Sequence, residues 1–236
     1  HLFENCTSLT KVAYETDTTN KTAITVIPAY MFAGCTSLVD FVPSNSTFAS
    51  GAILLENINT IEEYAFFNCS SLAKVGLNHS ITVIPEHCFD GCAMLTRFAD
   101  IKSTTEEEAD GFYPNVEITT IMNYAFANCD SFTTVTIPAT VTTLGEFVFS
   151  SCAKLISANL ENNTLSDGLF AECEAFTSCY INPEITAIGA YAFYNDDNLI
   201  HFGFIGEEED ANGLQLTHKL TTIGAYAFYN CNKIGE

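Results

Sequence analysis

One pattern returns nine times along this chain of 236 residues, at intervals of 21 to 37, and it limits the fold more than any other feature does. Ile24-Thr-Val-Ile27 is followed by Tyr30, Phe32, Cys35, Leu38 and Phe41, and Ile58-Asn-Thr-Ile61 by Tyr64, Phe66, Cys69, Leu72 and Val75. The same spacing runs from Ile81 through Phe89, Cys92, Leu95 and Phe98, and from Ile118 through Phe126, Cys129, Phe132 and Val135. Later copies start at Val141, Leu165, Ile185 and Leu220, and a partial copy opens the chain at Phe3, Cys6, Leu9 and Val12. Both ends fall inside a repeat, so the chain reads as a segment of a longer protein.

In each copy a stretch such as Leu72-x-x-Val75-x-Leu77 ends in alternation of period two, which suits a short strand with one buried face. The Ile-x-x-Ile-x-x-x-Ala-Phe-x-x-Cys stretch returns the chain on the other side. One coil cannot bury both apolar sets alone, so the coils must stack, with strands paired in parallel and apolar positions in continuous ladders. The expected fold is a right-handed solenoid spanning residues 1–236 as one repeat domain. A parallel sheet lines its concave side, and irregular, short helical or short strand segments form the other.

Ile223-Gly-Ala-Tyr-Ala-Phe228-Tyr-Asn-Cys231 and Ile121-Met-Asn-Tyr-Ala-Phe126-Ala-Asn-Cys129 carry the pattern most fully, and Ile137-Pro138 closes one of the strands. It resembles the BspA-like leucine-rich repeats over nearly the whole chain. That resemblance implies secreted or surface-attached proteins of bacteria and some protists, associated with adhesion to host matrix or to other cells.

Four coils are longer than the rest: Cys6 to Cys35, Cys35 to Cys69, Cys92 to Cys129 and Asp196 to Cys231 are 29 to 37 residues apart. Their insertions follow the strand and are expected as loops along one edge of the sheet. Two contain acidic runs, Glu106 to Asp110 and Glu207 to Asp210. Neither has the alternating ligand spacing of a calcium loop, so both read as solvated.

A hydrophobic content of 47% excludes a disordered segment. The formal charge of -21 excludes nucleic acid and anionic membranes as partners. No apolar stretch is long enough to enter a bilayer, and the first residues do not read as a signal peptide. Eight of the ten cysteines share one repeat position, and Asp196 takes that position in a ninth copy. Stacked equivalent side chains point the same way, so these cysteines are expected to be reduced core residues, with Cys88 and Cys179 the exceptions open to pairing. Histidine spacing offers no metal motif, no nucleophile motif or phosphate loop is present, and no cofactor is expected. The chain reads as a non-enzyme.

Two rows face outward from the strands. One is Lys11, Asp40, Lys74, Arg97, Thr134, Ser157, Ser178 and His201, which holds three of the chain's eight basic residues. The other, from Ala13 to Gly203, is mostly small. Together they form a candidate binding strip for an acidic loop, unless the small residues merely suit a curved sheet. On the opposite side Tyr30, Tyr64, His87, Tyr124, Phe147, Gly168, Tyr191 and Tyr226 form a file that we read first as coil-on-coil packing and second as a contact strip. Glycosylation sequons at Asn20, Asn45, Asn78 and Asn162 are candidate acceptors in a secreted eukaryotic protein. The first expectation is a non-catalytic, adhesin-like module at the cell surface or outside the cell, binding a protein or glycan. The alternatives are a subunit that assembles with copies of itself into a filament or surface layer, and a non-catalytic domain of a secreted enzyme.

Overall fold

From Ile58 to Phe202 the apolar positions of the repeat are buried where the alternation places them, while Cys6 and Ile223 in the end coils are exposed. In the coil from Ile58 to Leu77, Ile58, Ile61, Ala65, Phe66, Cys69, Leu72, Val75 and Leu77 are all in the core. The computed structural model describes residues 1–14, 24–44, 51–100, 110–114, 117–205, 213–216 and 219–234. Its main element is a parallel sheet of eleven strands. In spatial order these are Lys11–Tyr14, Asp40–Pro43, Ile53–Leu54, Lys74–Leu77, Arg97–Asp100, Gly111–Tyr113, Thr134–Ile137, Ser157–Leu160, Ser178–Ile181, His201–Phe204 and Gly213–Leu214. Spatial order equals chain order, which is what a stack of coils requires. The other side carries two-residue strands, such as Val83–Ile84, Thr120–Ile121 and Thr143–Leu144 in one small parallel sheet, joined by tight turns. Among the described residues there is no helix.

The insertions correct one expectation. Rather than only forming loops along an edge, three of the four add a strand within the main sheet. Ile53 pairs with both Phe41 and Val75, Phe112 with both Phe98 and Val135, and Leu214 with Phe202. A longer coil therefore gives two rungs to the ladder, because Ile53, Phe112 and Leu214 supply the apolar position that a strand needs at that register. The insertion between Tyr14 and Ile24 lies outside the described residues.

A spine of rings holds the coils together. Nine phenylalanines stack in file, Phe3, Phe32, Phe66, Phe89, Phe126, Phe149, Phe170, Phe193 and Phe228, with centroids 5.2 to 6.0 Å apart. Each such pair contributes about 0.5–1.5 kcal/mol beyond the area it buries. The cysteine ladder runs beside the rings. The Sγ of Cys69 donates to the Phe32 carbonyl at 3.2 Å, Cys92 to Phe66 at 3.3 Å and Cys129 to Phe89 at 3.3 Å. Those carbonyls also accept the backbone N–H of the cysteine in their own coil, so both lone pairs are used.

The turns between Ile and Cys hold two left-handed residues per coil. One is the aromatic file, with φ from 50 to 62° at Tyr30, Tyr64, His87, Tyr124, Phe147, Gly168, Tyr191 and Tyr226. The other precedes the cysteine position and is mostly Asn or Gly, as at Asn5, Gly34, Asn68, Gly91 and Asn128. Asparagine and glycine reach this conformation readily, and large side chains rarely do. What the geometry gains is a hydrogen-bond ladder without a strand: the N–H groups of Tyr64, Phe66 and Asn68 donate to the carbonyls of Glu86, Cys88 and Asp90 in the next coil.

Asp196 is the one break in the thiol ladder. Its Oδ1 accepts the Cys173 N–H at 2.8 Å, and its fully buried Oδ2 has no hydrogen-bond partner among the described residues. Burial pushes this carboxyl from its ordinary 3.8 up to about 8, against the opposing Cys173 N–H. The folded chain thus holds a proton that the unfolded chain releases, so this site's contribution is complete below about pH 3.8 and is lost as pH rises through about 8. Asp196→Cys should remove that loss. Melting curves across this range should show the variant more stable than the parent by about 1–3 kcal/mol at the alkaline end, with the difference closing toward pH 4.

Candidate functional site

The outward residues of the long sheet form an extended surface that stacking does not consume, and the structure divides it. Where a strand is followed by an insertion, side chains that face away from the core are nonetheless buried. Asp40 is 4% exposed, Val42 8%, Ala99 4% and His201 5%. On the strands Lys74–Leu77, Thr134–Ile137, Ser157–Leu160 and Ser178–Ile181, every second residue faces out and is exposed or half-exposed.

This places the predicted row as follows. Lys11 is exposed at one end, 3.7 Å from the Asp40 carboxylate. Asp40 works inside the fold: its Oδ1 accepts the N–H groups of Gly51 and Ala52 and so receives the added strand. Lys74 and Arg97 are direct neighbours across two paired strands, one exposed and the other half-buried, as expected of a small basic patch. Gly111 then intervenes before Thr134, Ser157 and Ser178, which are half-buried and in register. His201 completes the row but is buried, with its ring 4.9 Å from that of Tyr180. Asp40 and His201 are thus withdrawn from the contact surface by burial.

The residue that sequence reasoning missed is Tyr113. It stands on an added strand and shares a hydrogen bond with the Thr134 hydroxyl. The signal was present in the alternation of Gly111-Phe112-Tyr113, which continues the strand pattern inside an insertion.

The aromatic file on the opposite side packs coil on coil. Tyr30 stacks on Tyr64 at 4.7 Å, Tyr64 on His87 at 4.6 Å, His87 on Tyr124 at 4.8 Å and Tyr124 on Phe147 at 5.2 Å. At Gly168 the file has no ring, and the Phe147 ring lies over the space that a side chain there would need. His87 Nδ1 lies 2.7 Å from the Asp90 carboxylate, whose other oxygen accepts from the Asn128 amide at 2.8 Å. This pair anchors the ring within the stack.

The sequons divide as well. Asn20 and Asn45 lie outside the described residues. The Asn78 amide donates to the carbonyls of Leu55, Glu56 and Ile58, and Asn162 is 2% exposed with its amide on the Thr164 carbonyl. Folding therefore uses both amides internally, which argues against glycans at these two positions. Glu106 to Ala109 and Glu207 to Asp210, the bulk of the two acidic runs, also lie outside the described residues. Among the described residues no group of three or more His, Cys, Asp or Glu is placed to hold a metal ion, and no helix is long and apolar enough to cross a membrane.

A stack of parallel coils with a long sheet on one side, apolar ladders inside and short segments behind defines a leucine-rich-repeat solenoid. The chain belongs to the family described as the BspA type leucine rich repeat region, whose model matches residues 1–53, 50–116 and 112–234 in 6 copies. It is similar in fold to a leucine-rich repeat protein from Bacteroides ovatus, with a TM-score of 0.71 and 24% identity. That match covers 94% of this chain and 49% of the other, so the chain spans about half the length of that protein. A second similar structure is the T. pallidum leucine rich repeat protein, with a TM-score of 0.59, 23% identity and 78% of each chain covered. The pneumococcal vaccine antigen PcpA matches with a TM-score of 0.50 and 18% identity, over 97% of this chain and 55% of that one. No curated protein matches the chain in sequence.

All ten cysteines are free, including Cys88 and Cys179, and Cys6 alone is exposed. Burial raises the thiols of Cys69, Cys88, Cys92, Cys129 and Cys173 well above their usual range and that of Cys231 to about 12. A thiol is reactive as the thiolate, so these groups are inert while the fold holds. Titration of this chain with an aromatic disulfide reagent at pH 8 should label Cys6 at once and the other nine only after denaturant is added.

Proposed function

We propose that this protein is a non-catalytic, adhesin-like module that works at the cell surface or outside the cell and engages a protein partner through the concave face of its long sheet. The observation that carries this reading is the pair Lys74 and Arg97, adjacent across paired strands on the outward face of the long sheet. On a chain of formal charge -21 a local basic patch attracts an acidic segment and sets its register, while the acidic remainder repels non-specific anions. A solenoid suits this role because stacked coils present a broad rigid surface whose backbone loses no freedom on binding. The family supports the same reading, since the matched BspA type leucine rich repeats build a stack of coils with one long exposed sheet.

The strength of such contacts should depend on salt, because exposed charges beyond about 10 Å are screened at 0.1 M. The test is surface plasmon resonance of the protein over a panel of immobilised extracellular-matrix proteins. The double variant Lys74→Glu, Arg97→Glu should weaken the strongest interaction by about tenfold or more, mainly through slower association, with an unchanged circular dichroism spectrum. An affinity that ignores both charges and salt would remove the basic patch from the contact.

A further inference from the structure

Past the basic patch the sheet changes character. The four strands Gly111–Tyr113, Thr134–Ile137, Ser157–Leu160 and Ser178–Ile181 contain no Asp, Glu, Lys or Arg. They lie between the strand Arg97–Asp100, where Ala99 is buried, and the strand His201–Phe204, where His201 and Gly203 are buried. The result is a floor of four strands without a charged side chain, bordered by Arg97 and buried Ala99 on one side and by buried His201 and Gly203 on the other, on a chain whose formal charge is -21.

Register fixes what lines the floor. Phe112 pairs with Val135, which sets Tyr113 beside Thr136; Thr136 pairs with Asn159, and Asn159 with Tyr180. The backbone positions of Tyr113 and Tyr180 therefore fall in one row three strand spacings apart, about 14 Å, and the Tyr113 ring leans from it toward Thr134. The parallel row supplies the hydroxyls of Ser157 and Ser178. Among the described residues the side chains of Thr136, Ser157 and Asn159 make no hydrogen bond to another residue, so their donors and acceptors face solvent.

The rings at the two ends are held rather than mobile. Tyr113 reaches the Thr134 hydroxyl by folding across Gly111, where a Cβ would meet the ring carbons at 2.5 and 2.8 Å. Only glycine leaves that space, so the ring rests over Gly111. At the far end the same device recurs: the His201 ring lies over Gly203, 2.7 Å from where a Cβ would be, and packs beside Tyr180. Two fixed rings with hydroxyl and amide groups between them offer apolar faces and neutral hydrogen bonding, and no charge.

We infer that this floor binds a neutral oligosaccharide, laid across the strands with pyranose faces on Tyr113 and Tyr180 and hydroxyls on Thr136, Asn159, Ser157 and Ser178. The alternating apolar faces and hydroxyl edges of a sugar match this arrangement, and rigid aromatic platforms lose little entropy on contact. An acidic glycan has no cation to meet on the floor, and an apolar peptide would leave its hydroxyls and amide unpaired. The length of the row fits a short oligosaccharide and exceeds a single sugar. The inference rests on the concave face being the working surface, but not on the basic patch.

The test is a glycan array of neutral oligosaccharides and their sialylated and sulfated counterparts, followed by calorimetry on the best neutral chain. Neutral chains should bind, and acidic counterparts should bind more weakly by about tenfold. Tyr180→Ala and Asn159→Ala should each lower the affinity by about tenfold with the circular dichroism spectrum unchanged, and Lys74→Glu with Arg97→Glu should leave it within about threefold. Failure of every neutral glycan to bind, or binding that survives both Tyr180→Ala and Asn159→Ala, would overturn the inference. Loss of glycan binding through the charge reversal alone would also overturn it, whereas loss of matrix-protein binding alone bears only on the basic patch.

Discussion

Everything in this molecule depends on one contact repeated along its axis: a phenylalanine ring resting on the ring of the coil before it, with a cysteine thiol closing onto that coil's phenylalanine carbonyl. The ring buries a large apolar surface and the thiol satisfies a carbonyl that would otherwise be buried with a single partner. Because the contact is between neighbours only, stability accumulates coil by coil, and no coil needs a contact with a distant one. The surface is then released from structural duty, and a residue facing out of the long sheet can be of almost any type.

The left-handed turns show what that regularity costs. An aromatic residue in this conformation is unfavourable by roughly 1–2 kcal/mol, yet seven of the eight residues of the file are aromatic. The stacking of each ring on the next, together with the coil-to-coil hydrogen bond from its own N–H, offsets the strain. Gly168 shows the other solution, since it adopts the turn without strain and leaves its place to the Phe147 ring. The backbone ladder in the turns is thus as continuous as the one in the sheet, although no strand runs there.

How much of this was legible in the sequence follows from what repeats. The phenylalanine and cysteine ladders, the strand positions and the outward row of Lys74, Arg97, Thr134, Ser157 and Ser178 recur at fixed spacing, and spacing is what a sequence shows. The insertions do not repeat, so the added strands at Ile53, Phe112 and Leu214 went unread, and with them Tyr113 and the intervening Gly111. The burial of Asp40 and His201 was equally hidden, because their repeat position faces outward. A short apolar run inside an insertion, such as Ala52-Ile53-Leu54-Leu55, was the available signal. Spacing does not decide the state of Cys88 and Cys179, since geometry alone separates two buried thiols from a disulfide, and both are free.

The claim on which the functional account turns is that ligands meet the exposed floor of the long sheet and not the opposite side. The direct measurement places the same bulk on each face, Asn159→Trp on the floor and Thr143→Trp on the other side, both at exposed positions. Attachment of beads carrying parent and variants to matrix-coated and glycan-coated surfaces is then compared under flow. The account predicts that Thr143→Trp attaches as the parent does and that Asn159→Trp does not. Equal attachment by both variants, or loss confined to Thr143→Trp, would contradict it.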